Sequence, residues 1–384
     1  MREPPGGGEV RVTPRGEAVF VIQGRPNMTN LGDWVIYKNL IVMCQRYGRV
    51  LLGGGSPPEL LRYLSVQGDL APCDRARWPV LASLLARARG AGRVFVMAPP
   101  SHKFSWRRER RLLAFTRDLG RTYAHRLLGA RHCILGVTFG PFDATETLFQ
   151  RLGAPAVDTL GVRDEQSGAL ASSLGYRNVR AVPDFAFAEP LVARAAPLST
   201  RSNDLVLSFR SPVISGDRDD LSPDIRRLTS ELLGASRGRG RLSFVAQATA
   251  DQELNRDLWR SFGERTGGDL TCFEGTARSA ASILARYARA RIVLTNRLHV
   301  FLLALQQGAV PFVVTRVKRH HKISAMFKAL RLEEFMLDLS ARSEVRAVTQ
   351  LDDAELNRRR QRLVEAAERQ REALDQAFDA VVGR

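Results

Sequence analysis

The sequence has few of the residues that mark metal-binding and disulfide-rich proteins. Its 384 residues include only four cysteines, and they lie far apart. These are Cys44, Cys73, Cys133 and Cys272. No pair has Cys-x-x-Cys spacing, which argues against a zinc ribbon, a redox motif and a disulfide framework. No histidine and cysteine set has the spacing of metal ligands either, so we expect no bound metal.

Long apolar runs are also missing. The first eight residues lack the apolar core of a signal peptide. The most apolar late stretch, residues 292–314, carries Arg297 and His299 and is interrupted by Gln306 and Gly308, which makes it too polar to span a bilayer. We therefore expect a cytoplasmic protein, with peripheral contact at the inner face of the membrane left open.

Acidic residues are scarce relative to basic ones. The chain has 58 Lys and Arg against 40 Asp and Glu, a formal net charge of +18. Such a surplus favours anionic partners, although an arginine-rich genomic bias would produce it too. A non-catalytic anion-binding or nucleic-acid-binding protein is one candidate. Aromatic residues make up only 7% of the chain and no nucleic-acid-binding module is recognisable, so we expect no stable nucleic-acid partner.

Short apolar runs alternate with helical periodicity along most of the chain. This alternation predicts α/β domains with parallel sheets covered on both faces. The predicted strands are 18–22, 49–52, 93–97, 133–137, 156–162, 179–183, 204–209, 242–246, 292–294 and 310–314. We predict a disordered segment over 1–15, a first domain over 16–190, a linker over 191–203, a second domain over 204–345 and a C-terminal helical segment over 346–384.

The last segment has the pattern of one long amphipathic helix over 352–381. Its apolar stripe comprises Leu356, Leu363, Ala367, Leu374, Phe378 and Val381. We expect this helix to pack back on the body of the protein, with a homodimer as the alternative.

Three familiar motifs are absent. There is no Walker A sequence, no complete Gly-x-Gly-x-x-Gly at the start of a helix and no His-Glu-x-x-His. Candidate site residues come instead from the turns that follow strands. The first such turn contains Asn30, Gly32 and Asp33, where backbone N–H groups at a helix start suit an anion or a sugar hydroxyl. Capping of the helix by Asn30 or Asp33 is the alternative.

Two further turns carry arginine. Arg163 follows a predicted strand, where open parallel sheets place ligand-binding residues, and its donors suit a carboxylate or phosphate. The neighbouring Asp164 is either a candidate substrate-binding residue or a helix cap. Arg297 and His299 open a later helix, next to Asn296, and this pairing suits anion binding with proton exchange near neutral pH.

A fourth turn is strongly basic. Residues 317–322 contain Lys318, His321 and Lys322 directly after a predicted strand. Such a cluster is typical of a phosphate-binding loop and equally of a solvated loop.

Taken in order, these stretches resemble the polysaccharide pyruvyl transferase family. The similar stretches are Asn30-Leu-Gly-Asp-Trp-Val-Ile36, Gly140-Pro-Phe142, Val162-Arg-Asp-Glu-Gln-Ser167, Pro183-Asp-Phe-Ala-Phe187, Arg297-Leu-His-Val-Phe-Leu-Leu-Ala304 and His321-Lys-Ile323. The resemblance implies two Rossmann-like domains in a GT-B-like arrangement with a long C-terminal helix. It also implies phosphoenolpyruvate as donor substrate, no further cofactor, and a sugar or glycan acceptor, with a lipid-linked acceptor left open.

The resemblance assigns roles to particular residues. It implies that Arg163 and Arg297 hold the donor's carboxylate and phosphate and that His299 is the general acid and base. One departure affects the acceptor side, because Ala98-Pro99-Pro100 stands where many members have a Gly-rich turn. A GT-B-like glycosyltransferase that uses a nucleotide sugar is the alternative enzyme.

Overall fold

The structure is a computed structural model of the whole chain. It describes residues 18–22, 29–53, 58–66, 74–76, 80, 83–84, 91–98, 111–189, 191, 197–201, 205–210, 221–235, 242–316, 321–339 and 341–383. The predicted disordered segment 1–15 lies outside these residues, as does most of the predicted linker.

The first domain is built on a seven-stranded, fully parallel sheet. Its strands are β1 (Ala18–Ile22), β2 (Arg49–Gly53), β3 (Asp74–Ala76), β4 (Arg93–Ala98), β5 (Arg131–Val137), β6 (Thr159–Val162) and β7 (Val179–Ala181). They are ordered β3-β2-β1-β4-β5-β6-β7. The central strands are continuous apolar runs because helices cover both faces of the sheet.

The second domain repeats this plan with six parallel strands. They are β8 (Leu205–Ser208), β9 (Leu242–Ala246), β10 (Leu270–Cys272), β11 (Ile292–Thr295), β12 (Val310–Thr315) and β13 (Met336–Asp338). Their order is β10-β9-β8-β11-β12-β13. The prediction of α/β domains with parallel sheets is confirmed.

Twelve α-helices are described around the sheets. In the first domain these are α1 (Leu31–Gln45), α2 (Pro58–Val66), α3 (Arg111–Leu127), α4 (Ala144–Gly153) and α5 (Glu165–Ser173). In the second they are α6 (Ser222–Ala235), α7 (Gln252–Leu258), α8 (Ala277–Arg289), α9 (Leu298–Gln306), α10 (His321–Ala329), α11 (Arg342–Thr349) and α12 (Asp353–Val382). None of the described helices is both long and apolar enough to cross a membrane.

Helix α1 is buried on nearly all sides because it lies between the two domains. Even Lys38 is buried, and its Nζ lies 2.6 Å from Oε1 of Glu189. Trp34 packs edge-on against Phe273 of the second domain, with the ring centroids 5.1 Å apart. One apolar core therefore runs from the first sheet into the second domain.

The long C-terminal helix α12 is present, and its predicted apolar stripe is buried except at Ala367, which is half-buried while the neighbouring Ala366 is buried. Leu356 and Leu363 contribute to the core of the second domain, whereas Leu374 and Phe378 contribute to the core around α1. The Phe378 ring lies 5.5 Å from Tyr47 and 6.3 Å from Phe185 between centroids. The helix thus connects the two cores.

The strands that the sequence did not predict are β3, β10 and β13. Each has three residues, and all three lie at sheet edges. Three residues are too few to show periodicity, so these strands depend on pairing with a neighbour rather than on a local pattern.

Replacing Phe378 by Ala tests the role of α12 in stability. Phe378 is fully buried between Tyr47 and Phe185. Loss of this ring is expected to lower the free energy of unfolding by about 3–5 kcal/mol. Leu127→Ala, at an 88% exposed position, is the control and is expected to change stability by less than about 0.5 kcal/mol. Equal urea midpoints for the two variants would contradict packing of α12 on the body.

Candidate active site

The carboxyl ends of the two sheets carry the candidate residues. Arg163 follows β6, and Asp184 lies three residues beyond β7. In the second domain, Gln247 follows β9, and Arg297 lies just beyond β11 at the start of α9. Ligand-binding residues of parallel sheets concentrate at this edge, so in both domains the candidate residues lie where a ligand is expected to bind.

The Asp184 carboxylate joins the two domains at the centre of this site. Its Oδ2 atom lies 2.8 Å from Nη1 of Arg163 and 3.2 Å from Nε2 of His299. The Asp184 side chain is only 1% exposed. Burial alone would raise its pKa, but the charges of Arg163 and His299 hold the pKa of Asp184 well below its usual range. The carboxylate is therefore ionised at any working pH.

The backbone around Asp184 is fixed by its own hydrogen bonds. Oδ1 of Asp184 accepts from the backbone N–H of Ala186, 2.8 Å away, and caps the short helical turn Phe185–Ala188. The carbonyl of Phe185 accepts from Asn39 of α1, and that of Ala186 accepts from Gln306 of α9. Helices from both domains thus hold the turn that carries Asp184.

A second contact orients the guanidinium of Arg163. Its Nε donates to the backbone carbonyl of Gly136 in β5. Gly136 has a φ of +67°, and a Cβ there would lie 2.7 Å from the Phe185 ring. Only glycine suits this position, because the backbone is left-handed and the neighbouring ring leaves no room.

The imidazole of His299 lies against the start of α1. A Cβ on Gly32 would stand 2.6 Å from Nδ1 of His299, so the absent side chain of glycine allows this contact. An ionised carboxylate only accepts hydrogen bonds, so the pairing with Asp184 assigns the proton to Nε2 of neutral His299. Nδ1, beside Gly32, is then the nitrogen that can take up or release a proton.

The segment before α1 is paired with the second domain. Asn30 and Ala248 form an antiparallel bridge. The N–H of Leu31 donates to Gln247 O at 3.1 Å, and the N–H of Thr249 donates to Thr29 O at 2.8 Å. These backbone bonds fix Gly32 relative to His299 across the domain boundary.

Arg297 is held by an aspartate that follows β9 in the second domain. Its Nη2 atom lies 2.7 and 2.6 Å from the two carboxylate oxygens of Asp251, whose side chain is buried. The Nε of Arg297 is buried and has no hydrogen-bond partner among the described residues. The same is true of Nε2 of Gln247. The site therefore contains two donors that are available to an acceptor group.

Tyr287 completes the wall next to Gln247. Its hydroxyl donates to Oε1 of Gln247 at 3.2 Å. Burial raises the pKa of Tyr287, so this hydroxyl stays protonated and remains a donor. This contact fixes the orientation of the Gln247 amide.

Three of the residues predicted to bind substrate make hydrogen bonds within the protein instead. Asn30 accepts from the Gly32 N–H at 3.1 Å and caps α1. Asp164 caps α5 through the Ser167 N–H and hydroxyl, each at 2.8 Å. Asn296 bonds the backbone N–H and carbonyl of Arg210, at 2.6 and 3.2 Å.

Asp33 lies in the first turn of α1 and is partly exposed. Of the predicted basic cluster, Lys318 lies outside the described residues, and His321 and Lys322 are described only as the start of α10. Pro99 and Pro100 also lie outside the described part of the chain.

Asp184, Gln247 and Asp251 were not among the residues predicted for the site. A signal existed for Asp184, because it lies in the Pro183–Phe187 stretch directly after a strand. Gln247 and Asp251 follow β9 in the same way. Among the described residues, no group of three His, Cys, Asp or Glu side chains could hold a metal ion.

These residues together form a cationic site with one proton-exchanging group. Arg163 and Arg297 are both partly accessible, and each is backed by a buried carboxylate. His299 lies beside the helix start at Gly32. Such a set can bind an anion and pass a proton to or from it.

Comparison with solved structures identifies the fold. The chain matches a trehalose-phosphate synthase (UDP-forming) from Burkholderia vietnamiensis with a TM-score of 0.52 and 12% identity, covering 96% of this chain and 98% of that one. It matches a UDP-GlcNAc 2-epimerase from Neisseria meningitidis with a TM-score of 0.52 and 9% identity, covering 96% and 98%. These similarities show a GT-B fold.

A third match, to an O-GlcNAc transferase variant from Thermobaculum terrenum, has a TM-score of 0.50 and 17% identity. It covers 95% of this chain and 66% of that one. No curated protein sequence matches the chain significantly. The family model described as polysaccharide pyruvyl transferase matches residues 93–317, more than half of the chain. The chain therefore belongs to the polysaccharide pyruvyl transferase family.

Proposed function

We propose that this protein transfers the pyruvyl group of phosphoenolpyruvate to two hydroxyls of a sugar or glycan precursor and forms a pyruvate ketal. The family match supports a transferase. The observation that carries the proposal is the contact of Arg163 and His299, from different domains, with one oxygen of Asp184. A cation for the donor and a group for proton transfer are thereby held side by side.

The cations suit the donor, which carries a carboxylate and a phosphate. Arg163 and Arg297 would bind these two anionic groups, because planar guanidinium groups match carboxylate and phosphate oxygens. The buried Nε of Arg297 and Nε2 of Gln247 supply donors that lack a partner in the described part of the chain. Stabilising the departing phosphate by fixed positive charge lowers the barrier to its release.

The proton is assigned to Nδ1 of His299. Protonated His299 gives this proton to the methylene carbon of the donor, which becomes a methyl group, and C2 becomes electrophilic. An acceptor hydroxyl forms a C–O bond to C2 and loses its proton to Nδ1. The bond from C2 to the phosphate oxygen breaks, and a second hydroxyl adds to C2, gives its proton to the departing phosphate and closes the ketal. The products are the ketal and inorganic phosphate.

The proposal is tested by incubating the purified chain with phosphoenolpyruvate and a panel of saccharides while phosphate release is followed. His299→Ala is expected to lower turnover by about 100- to 10,000-fold, because proton transfer is lost, while phosphoenolpyruvate still raises the melting temperature. Full activity in this variant would remove His299 from the mechanism. A rise in melting temperature with nucleotide sugars and none with phosphoenolpyruvate would support the glycosyltransferase alternative.

Asp184→Asn is expected to lower kcat by at least about tenfold. The loss should not exceed roughly 10,000-fold, the most that general acid catalysis contributes. The amide keeps the shape of the side chain but lacks the charge that stabilises the protonated imidazole. The alkaline limb of the pH–rate profile should therefore move to lower pH. A variant that loses activity with an unchanged pH profile would indicate a purely structural role for Asp184.

Gly32→Ala is expected to reduce activity strongly, because the added methyl group would overlap the position of His299 Nδ1. Gly120→Ala is the matched control, since nothing lies within 4 Å of a Cβ at that position in α3. The control should keep full activity and gain up to about 1 kcal/mol from helix propensity. Equal rates of phosphate release for both variants would refute the close approach of Gly32 to His299.

A further inference from the structure

The described residues expose few large apolar side chains, and those few are concentrated in the first domain. They are Leu84, Leu113, Tyr123, Leu127, Leu148 and Leu152. All except Leu84 belong to α3 or α4. Leu113, Leu127 and Leu148 are 75%, 88% and 55% exposed, which is unusual for three leucines on neighbouring helices.

The two helices form one continuous surface. Phe115 of α3 stacks on Phe149 of α4 beneath it, with ring centroids 4.8 Å apart. The Tyr123 hydroxyl donates to Leu152 O at 2.8 Å and brings the exposed positions of both helices together. We call this surface, formed by Tyr123, Leu127, Leu148 and Leu152 with Leu113 at its end, the α3–α4 face.

The exposed side of α3 extends along the whole helix. Leu113, Gly120 and Leu127 are spaced by seven residues, which places them on one side of the helix. No atom lies within 4 Å of a Cβ built on Gly120, so this side is open between the two leucines. The opposite side carries the buried Phe115 and His125.

Arginines border the α3–α4 face. Arg117 and Arg126 have 61% and 50% exposed side chains, and Arg151 of α4 is exposed as well. Asp118, the acidic residue of α3, lies 3.6 Å from Arg117 and 4.0 Å from Arg121, and Asp158 lies 3.8 Å from Arg126, so two carboxylates face three guanidiniums and Arg151 adds a fourth positive charge. The border therefore carries a net positive charge around an apolar centre.

We propose that the α3–α4 face binds the surface of an anionic membrane. Exposed leucines insert at the boundary between headgroups and acyl chains, while flexible arginines keep their charge among anionic headgroups. The net charge of +18 adds long-range attraction to such a surface. A symmetric contact with a second copy would bring the arginine borders together, and like charges oppose that arrangement.

The topology of the first sheet fixes where the α3–α4 face lies relative to the site. Helix α4 begins directly after Gly140, Pro141 and Phe142, which follow the carboxyl end of β5. Arg163 lies at the same edge of the sheet, because its N–H donates to Val137 O at 3.0 Å. Leu127 and Leu152 lie at the other ends of α3 and α4, shortly before β5 and β6 begin, so the apolar centre of the face is toward the amino edge of the sheet. A protein bound through this centre would keep the carboxyl edge, with Arg163, away from the lipid surface.

Flotation of the full chain with vesicles tests the proposal. Binding is expected with vesicles of phosphatidylcholine mixed with phosphatidylglycerol, and it should be weak with phosphatidylcholine alone. The triple variant Leu127→Ser, Leu148→Ser, Leu152→Ser leaves the net charge unchanged. It should lower the partition coefficient by at least about tenfold, because each exposed leucine loses its apolar transfer energy. Unchanged binding of the triple variant would overturn the proposal.

Two double charge-reversal variants, one on the α3–α4 face and one elsewhere, provide the matched control. Arg117→Glu with Arg126→Glu should weaken vesicle binding by at least about tenfold. Arg226→Glu with Arg227→Glu, on exposed positions of α6 in the second domain, changes the net charge equally and should alter binding by less than about twofold. Equal losses for the two charge variants would show that net charge alone drives binding and would overturn the proposal.

Light scattering distinguishes a membrane surface from a second copy of the chain as the occupant of the α3–α4 face. It gives the molar mass of the parent chain and of the triple variant, which should be equal. A dimer that the triple variant abolishes would assign the face to a second copy and overturn the proposal. Phosphate release with a soluble saccharide should be the same in both proteins. Because vesicle binding needs no turnover, failure of the proposed pyruvyl transfer would leave the flotation test unaffected.

Discussion

The site depends on one buried carboxylate that is shared by an arginine and a histidine. Asp184 lies on a turn held by helices of both domains, and its Oδ2 contacts Arg163 and His299. Burying this charge without partners would cost several kcal/mol, so the pairing couples the integrity of the site to correct closure of the two domains. The backbone bridge between Asn30 and Ala248 adds a second, uncharged connection across the same boundary.

Much of the fold was predictable because buried parallel strands are continuous apolar runs. The runs at 242–246 and 310–314 correspond to β9 and β12, and the predicted stripe on α12 is buried at every position except Ala367. The edge strands β3, β10 and β13 were not predicted, since three residues are too few for any periodicity, whereas the equally short edge strand β7 lies within the predicted run 179–183.

The site was predictable in position but not in its pairings. Arg163, Arg297 and His299 could be singled out because each follows a strand. Their partners could not, since Asp184 is 115 residues from His299 and Asp251 is 46 residues from Arg297 in the sequence. Only the packing of two sheets against α1 brings such distant residues together. The close approach of Gly32 to His299 depends on the same packing.

The most direct measurement is a crystal structure of the chain with phosphoenolpyruvate bound. We predict that the donor's anionic groups lie within hydrogen-bond distance of Arg163 and Arg297, with the methylene carbon facing Nδ1 of His299. Asp184 should retain its contacts with Arg163 and His299 in that complex. A donor bound away from these residues, or an imidazole that has left Asp184 to present Nε2, would contradict the account.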